Sequence, residues 1–336
     1  MERERYSRQM LFSGIGEAGQ ELLAEKRVLI VGVGALGTVL ANHMVRAGVG
    51  HVRLVDRDYV EASNLQRQML FDEHDVQAVA PKAIAAKEKL EKVNSSIHIE
   101  ALVEDVTTEN IERLMEGVDL VLDGTDNFNT RFLLNDACFK WARPFGYGGA
   151  VSARGMNALF VPGETPCLRC FISSGNTQGE TCDTVGVIAP IVDIVASYQS
   201  VEALKYFVEA KDKLTRSLKT VDIWHNHAYN LAFKEPKKDC PTCQMQEYPA
   251  LRQEEEAATT LCGRETVQIR GNQRLDLKKW AKRLTQVADV HETPFLVRVL
   301  LSEGERLVLF ADGRVLIQGT EDLTRARTLY SKYIGD

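Results

Sequence analysis

Between Val28 and about residue 150, short apolar runs alternate with stretches of helical periodicity. The runs are Val28 to Val31, Val52 to Val55, Ile97 to Val103 and Leu120 to Leu122, and helices are expected at Leu36 to Ala47, 81 to 92 and 107 to 116. Such alternation predicts parallel strands joined by crossover helices. A glycine-rich passage, GYGGAVSARG, follows, and MNALFV, TVDIW and YNLAF then predict strands that close the sheet in mixed or antiparallel fashion. The nearest approach to a membrane span, residues 187 to 210, is interrupted by Pro190, Asp193, Glu202 and Lys205. Each charge near a bilayer centre would cost roughly 2.5 to 3.5 kcal/mol, so this stretch reads as a buried core helix.

Two stretches break the pattern. SSGNTQGETCDTV, between Phe171 and Gly186, is too polar and glycine-rich for a core element and predicts a mobile loop. QEYPALRQEEEAATT predicts a linker. The expected organisation is a large domain over residues 1–245, a linker over 246–264 and a small α+β unit over 265–336. That unit would comprise ETVQIRG, a helix from Leu275 to Val287, FLVRVLL, RLVLFADGRVLIQG and a helix from Glu321 to Tyr333. The fold class expected is α/β: a Rossmann-like, mostly parallel sheet extended by antiparallel strands, with a small C-terminal α+β unit.

The first strand opens into Gly32, Gly34 and Gly37 at G-x-G-x-x-G spacing and then into a helix. Glycines there allow a sharp turn, close approach to a phosphate and packing of helix on strand, while the helix start offers free N–H groups. Asp56 ends the next run 19 positions after Gly37, near the offset at which an acid binds a ribose hydroxyl. Asn64 and Arg67 are three apart and can address one ligand from a shared helical face. Lys82 stands at the entrance of a helix starting at Pro81, as a phosphate ligand or as a solvated surface lysine. LVLDGTD places Asp123 and Asp126 at the carboxyl end of a strand, where one acid can hold a magnesium ion and the other can cap the following helix. Nucleotide binding follows from this set.

The bulk numbers narrow the partners. At 44% apolar and 26% charged residues the chain is of ordinary globular composition. Its net charge is −6, with no basic run, which argues against nucleic acid. The N-terminus, MERERYSRQM, lacks the apolar core of a signal peptide, so a cytoplasmic protein is expected. Seven cysteines in a reducing compartment point to metal or redox chemistry and not to a disulfide framework. Cys167 with Cys170 and Cys240 with Cys243 are two C-x-x-C knuckles that together complete a tetrahedral four-thiolate zinc site. A redox-active C-x-x-C is the rival, but it needs a thioredoxin-like setting that this sequence lacks.

RYSRQ near the start, GVGALG, Asp56, NLQRQ, Pro81-Lys82, DGTDN and the paired C-x-x-C motifs resemble the activators of ubiquitin-like sulfur-carrier proteins. These are the molybdopterin-synthase and thiazole-biosynthesis adenylyltransferases, the MoeB/ThiF family. The resemblance covers about residues 5 to 245 and leaves out the C-terminal unit. It implies that ATP is used to adenylate the C-terminal glycine carboxylate of a carrier resembling ThiS or MoaD, with release of pyrophosphate. By motif match, Asp56 would hold the ribose, Asn64, Arg67 and Lys82 the phosphates, and Asp126 the magnesium ion. Arg8 would reach the triphosphate of a neighbouring subunit, which implies a homodimer. Hydride transfer would give this set of cations no task.

Cys182 occupies the position of a reactive cysteine that in several relatives becomes linked to the carrier; other relatives stop at adenylation and leave it dispensable. Cys138 reads as core packing and Cys262 has no motif context. A rhodanese domain does not fit in the tail, so sulfur would come from a separate donor such as a cysteine desulfurase. The alternatives are a same-fold enzyme acting on another carboxylate, such as a peptide terminus or a modified nucleoside, and a non-catalytic relative that serves as a dimerisation scaffold.

Overall fold

The four apolar runs become parallel strands: β1 (Arg27–Val31), β2 (His51–Val55), β3 (His98–Leu102) and β4 (Leu120–Asp123). The computed structural model describes residues 2–172, 185–253, 258–261, 265–271 and 273–335, and divides into two units, Met1–Gln253 and Glu254–Asp336. In the first unit the strands continue as β5 (Phe145–Val151), β6 (Arg154–Phe160), β7 (Ser217–Asp222) and β8 (His227–Ala232). Their order is β3-β2-β1-β4-β5-β6-β7-β8, parallel up to β5 and antiparallel from β5 to β8. This is the expected Rossmann-like sheet with an antiparallel extension.

Successive residues of β1 point to opposite faces, which is why both sides of the sheet carry a core. Val28 and Ile30 pack with Leu40, Met44, Ala83, Leu90, Ile191 and Val195, whereas Leu29 and Val31 pack with Ile111, Leu134, Phe145 and Phe160. The helices Ala35–Ala47, Lys82–Val93 and Ala189–Phe207 cover the first face, and Phe128–Lys140 covers the second. Residues 187 to 210 thus contain a core helix, and among the described residues no helix is long and apolar enough to cross a membrane.

Several elements differ from expectation. The helix expected at 107–116 shrinks to Ile111–Leu114, because Asn110 accepts the Thr107 N–H at 2.9 Å and donates to the Asp105 carbonyl at 2.8 Å. Such side-chain bonds compete with helix formation. The glycine-rich passage is largely strand, forming most of β5 and the start of β6, and its glycines admit the long helix. A Cβ on Gly148 would stand 2.2 Å from Gln199 Oε1, and one on Gly155 would stand 2.2 Å from Val195 Cγ2. Three helices at the N-terminus, Glu2–Arg5, Ser7–Met10 and Gly16–Glu25, precede the first predicted element.

The second unit is an antiparallel sheet in the order β11-β12-β13-β14-β10-β9 among the described residues. Its strands are β9 (Ala258–Leu261), β10 (Thr266–Arg270), β11 (Asp289–Glu292), β12 (Leu296–Leu300), β13 (Arg306–Phe310) and β14 (Arg314–Gln318). Val267, Val299, Leu307 and Ile317 pack against Leu277, Ala281 and Leu284 of one helix and Leu329 of another. Those helices, Leu277–Leu284 and Leu323–Tyr333, start at Asp276 and Asp322, which accept backbone N–H groups at 3.1 and 2.8 Å. The stretch expected as a linker contains a 3-10 turn, Pro249–Arg252, and strand β9.

Where the sheet changes from parallel to antiparallel, β4 and β5 are paired only at Val121 with Phe145 and Leu122 with Gly146. The buried Gln199 side chain closes the gap, its Nε2 donating to the carbonyls of Asp123 and Gly146, each at 3.0 Å. Replacing it by methionine leaves two carbonyls unserved, and Gln199→Met is expected to lose about 2 kcal/mol of stability in urea denaturation. An unchanged midpoint would refute the assigned role.

Candidate active site and metal centre

The carboxyl ends of β1, β2 and β4 are adjacent, with Val31 paired to both Val55 and Asp123. The residues that follow these strands, Gly32, Asp56 and Gly124, therefore meet at the point where strand order reverses, the usual ligand crevice of open α/β sheets. Gly32 has a φ of +83°, which an L side chain rarely adopts. A Cβ on Gly37 would stand 1.9 Å from the Gly32 carbonyl oxygen. Among the described residues, one on Gly34 would meet only the Gln68 amide, at 3.7 Å. Thus Gly32 and Gly37 serve the turn and the packing, while Gly34 keeps the space above the loop open. The helix Ala35–Ala47 begins at Gly34 with no side-chain cap, leaving its first-turn N–H groups available to an anion.

Asp56 is buried beside this loop. Its Oδ2 accepts the Val33 N–H at 2.6 Å and its Oδ1 accepts the Asp58 N–H at 2.7 Å. Burial pushes its carboxyl above the usual range, against the pull of Lys82. Lys82 is only 4% exposed, so the solvated-lysine reading does not hold. Its Nζ lies 3.3 Å from Asp58 Oδ2, and its own N–H donates to the Asp58 carbonyl at 2.9 Å. The helix it opens starts one residue later than expected, with Pro81 preceding it. Asn64 is buried at the end of a 3-10 turn, accepting the Glu61 N–H at 3.0 Å, and Arg67 is half-buried on the following turn, donating to the Ser63 carbonyl at 2.9 Å.

The two acids after β4 divide their roles. Asp123 is buried and occupied: Oδ1 accepts Thr125 N–H and Oγ1–H at 2.9 and 2.6 Å, and Oδ2 accepts Arg131 Nε at 3.1 Å. Burial raises its carboxyl, and Arg131 opposes that rise. The helix cap falls to neither acid, since Asn127 accepts the Thr130 N–H at 2.9 Å. Asp126 is exposed. Arg131, absent from the sequence reading, also donates to the carbonyls of Thr125 at 2.7 Å and Gly148 at 3.1 Å, and so fixes the loop that carries Asp126.

Arg8 does not join this group within one chain. Its neighbours Tyr6 and Gln9 are tied to Asn94 at 2.8 Å and to the Ala47 carbonyl at 2.8 Å, at the opposite end of the helix that starts beside Gly34. That helix is about 18 Å long at 1.5 Å per residue, beyond the reach of an arginine side chain. Arg8 itself is exposed. Cys182 and Cys262 lie outside the described residues, as does nearly all of the stretch expected as a mobile loop. Cys138 is buried, as expected of a core residue.

The two cysteine knuckles meet. Cys167 Sγ lies 3.4 Å from Cys240 Sγ and Cys170 Sγ 3.5 Å from Cys243 Sγ, and all four sulfurs fall within 4.8 Å of one another. Tetrahedral zinc bonds of ~2.3 Å require sulfurs about 3.8 Å apart, so the cluster has the chemistry and spacing for such an ion. The Cys240 thiol is held down to about 6, first by its hydrogen bond with Cys167. One carboxylate, missed in the sequence, supports both knuckles. Asp136, fully buried, accepts Arg169 Nε and a second Arg169 nitrogen at 2.9 Å each, Thr242 Oγ1–H at 2.5 Å and the Ala250 N–H at 2.8 Å. Asn135 beside it accepts the Leu168 N–H at 2.9 Å.

Comparison with known proteins agrees with this geometry. A curated relative, "Sulfur carrier protein ThiS adenylyltransferase" of Bacillus subtilis, is 44% identical over 336 residues, covering 98% of this chain and 99% of that protein. "Sulfur carrier protein adenylyltransferase" of Thermus thermophilus is 35% identical over 249 residues, covering 72% of this chain and 91% of its own. Among solved structures, that of Escherichia coli MccB with ATP superposes with a TM-score of 0.62 at 23% identity, over 71% of this chain and 74% of the other, a likeness of fold. The model of the ThiF family matches residues 6–242, and the chain belongs to that family.

Proposed function

We propose that this protein uses ATP to adenylate the C-terminal glycine carboxylate of a ubiquitin-like sulfur-carrier protein, ThiS- or MoaD-like, and releases pyrophosphate. The observation that carries this reading is the end-to-end similarity to the Bacillus ThiS adenylyltransferase, which extends through the C-terminal unit. The likeness to MccB is one of fold and gives no ground for a peptide substrate. No observation favours a modified nucleoside or a scaffold without catalysis.

The reaction brings two anions together, a carboxylate and the α-phosphate of ATP. A carboxylate oxygen attacks the α-phosphorus, and the bond to the bridging oxygen of pyrophosphate breaks. Positioning and electrostatic stabilisation supply most of what such a step requires. In this reading Gly32, Gly34 and Gly37 seat the phosphates at the uncapped helix start and Asp56 takes the ribose hydroxyls. Asn64, Arg67 and Lys82 address the phosphates, Lys82 exchanging its contact with Asp58 for one with the nucleotide. Asp126 would hold a magnesium ion, which supplies charge neutralisation at the triphosphate. Arg8, remote from its own loop, serves the site of a second copy, so the active form is a homodimer. Cys182 is the candidate thiol for a covalent link to the carrier, and sulfur comes from a separate donor such as a cysteine desulfurase. The setting is the cytoplasm, and the pathway is thiamin or molybdenum-cofactor biosynthesis. The C-terminal region 265–336 is assigned to contact with the carrier or the sulfur donor.

The decisive assay is ATP–pyrophosphate exchange with magnesium and each candidate carrier, with and without its terminal glycine pair. Exchange that depends on one intact carrier is expected; ATP binding without exchange for any carrier would defeat the proposal. Asp126→Ala should abolish exchange and leave the dimer intact by light scattering, and normal turnover would remove the metal role from Asp126. For the cysteine centre we assign zinc, about one ion per chain. Cys240→Ser should lower bound zinc and the melting temperature together, because a structural site contributes folding energy. Wild-type protein that is metal-free and equally stable would exclude the assignment.

A further inference from the structure

Gln68 closes the NLQRQ stretch, and none of the roles above uses it. Its backbone is fixed in the turn after Asn64: its N–H donates to the Asn64 carbonyl at 3.0 Å and its carbonyl accepts the Phe71 N–H at 3.1 Å. The side chain is 4% exposed, yet its Oε1 has no hydrogen-bond partner. Its Nε2 forms no hydrogen bond among the described residues either, and lies 3.7 Å from the point where a Cβ on Gly34 would stand. The buried Oε1 without a partner costs the free protein stability, and native folds seldom retain such an atom without a return, while the Nε2 keeps contact with solvent. Here the return is visible in its position. Among the described residues, the amide borders the one glycine of the loop whose open side no other protein atom approaches within 4 Å.

We infer that Gln68 is a nucleotide-binding residue whose amide donates to a phosphate oxygen of the nucleotide seated over Gly34. The inference rests on the nucleotide reading of this site and adds a neutral, directional donor to the cations Arg67 and Lys82 assigned there. An uncharged donor fixes a phosphate in place without adding repulsion to the cations assigned to the same ligand. The orphaned Oε1 is the stability cost of holding Nε2 where the ligand can accept from it, which is a trade of stability for binding.

That trade gives a signature opposite to that of a structural residue. In the full-length protein, Gln68→Met fills the same volume without the orphaned amide. It is expected to raise the melting temperature of the nucleotide-free protein by about 2 °C or more, and to weaken ATP binding in calorimetry by about tenfold or more. Gln68→Glu keeps the shape and places a carboxylate beside the phosphates; it should bind ATP more weakly still. Methionine and glutamate variants that bind ATP like wild type would overturn the inference, as would a methionine variant that melts lower than wild type. Wild-type protein that fails to bind ATP at all would overturn the nucleotide reading itself, and this inference with it.

Discussion

The first unit is organised around a contact between backbones. Gly32 belongs to the turn after β1, Gly37 to the first turn of the helix that follows, Gly124 to the turn after β4, and all three lie too close for side chains. A Cβ on Gly124 would stand 2.3 Å from the Gly32 carbonyl oxygen and 2.9 Å from the Gly37 Cα. This closeness brings the helix start, the Asp56 carboxylate and the loop bearing Asp126 into one crevice. Nothing polar in the site would be in reach of the same ligand if these two turns were held a side chain apart.

Around that contact, charge is arranged in two layers. The lower layer is internal: Asp123 and Arg131 satisfy each other and the carbonyls of neighbouring loops, and breaking such a buried pair costs about 3 to 5 kcal/mol. The upper layer is less complete. Lys82 is at least as buried as Arg131, but among the described residues it has a single ion-pair contact, with Asp58 at 3.3 Å. The lower layer holds geometry, and the upper layer retains capacity for an anionic ligand.

The glycine spacing, Asp56, the parallel strands with their antiparallel extension and the two cysteine knuckles were legible because each is a local pattern with a fixed physical cause. What escaped was long-range. Asp136 sits inside a helix with nothing nearby in sequence to mark it, and its partners Arg169, Thr242 and Ala250 are 33 to 114 positions away. Gln199 likewise gains its role only where β4 and β5 part. The glycine-rich passage carried no element in the sequence because its glycines are required by a helix some 40 residues later in the chain, a fact that no local rule contains. Gln68 stood in plain view within NLQRQ, but its lack of partners is a property of the folded state.

The cysteine centre also sets an order in time. Cys167 and Cys240 are 73 positions apart, and Ala250, which Asp136 binds, comes later still. At synthesis rates of about 5 to 20 residues per second, the first knuckle waits roughly 4 to 15 seconds for the second to be made. During that interval the nascent chain exposes two thiols that cannot yet complete a four-sulfur shell. Under the zinc assignment, metal capture would be one of the last events in the maturation of the first unit, and a filled centre would certify that translation has passed the second knuckle.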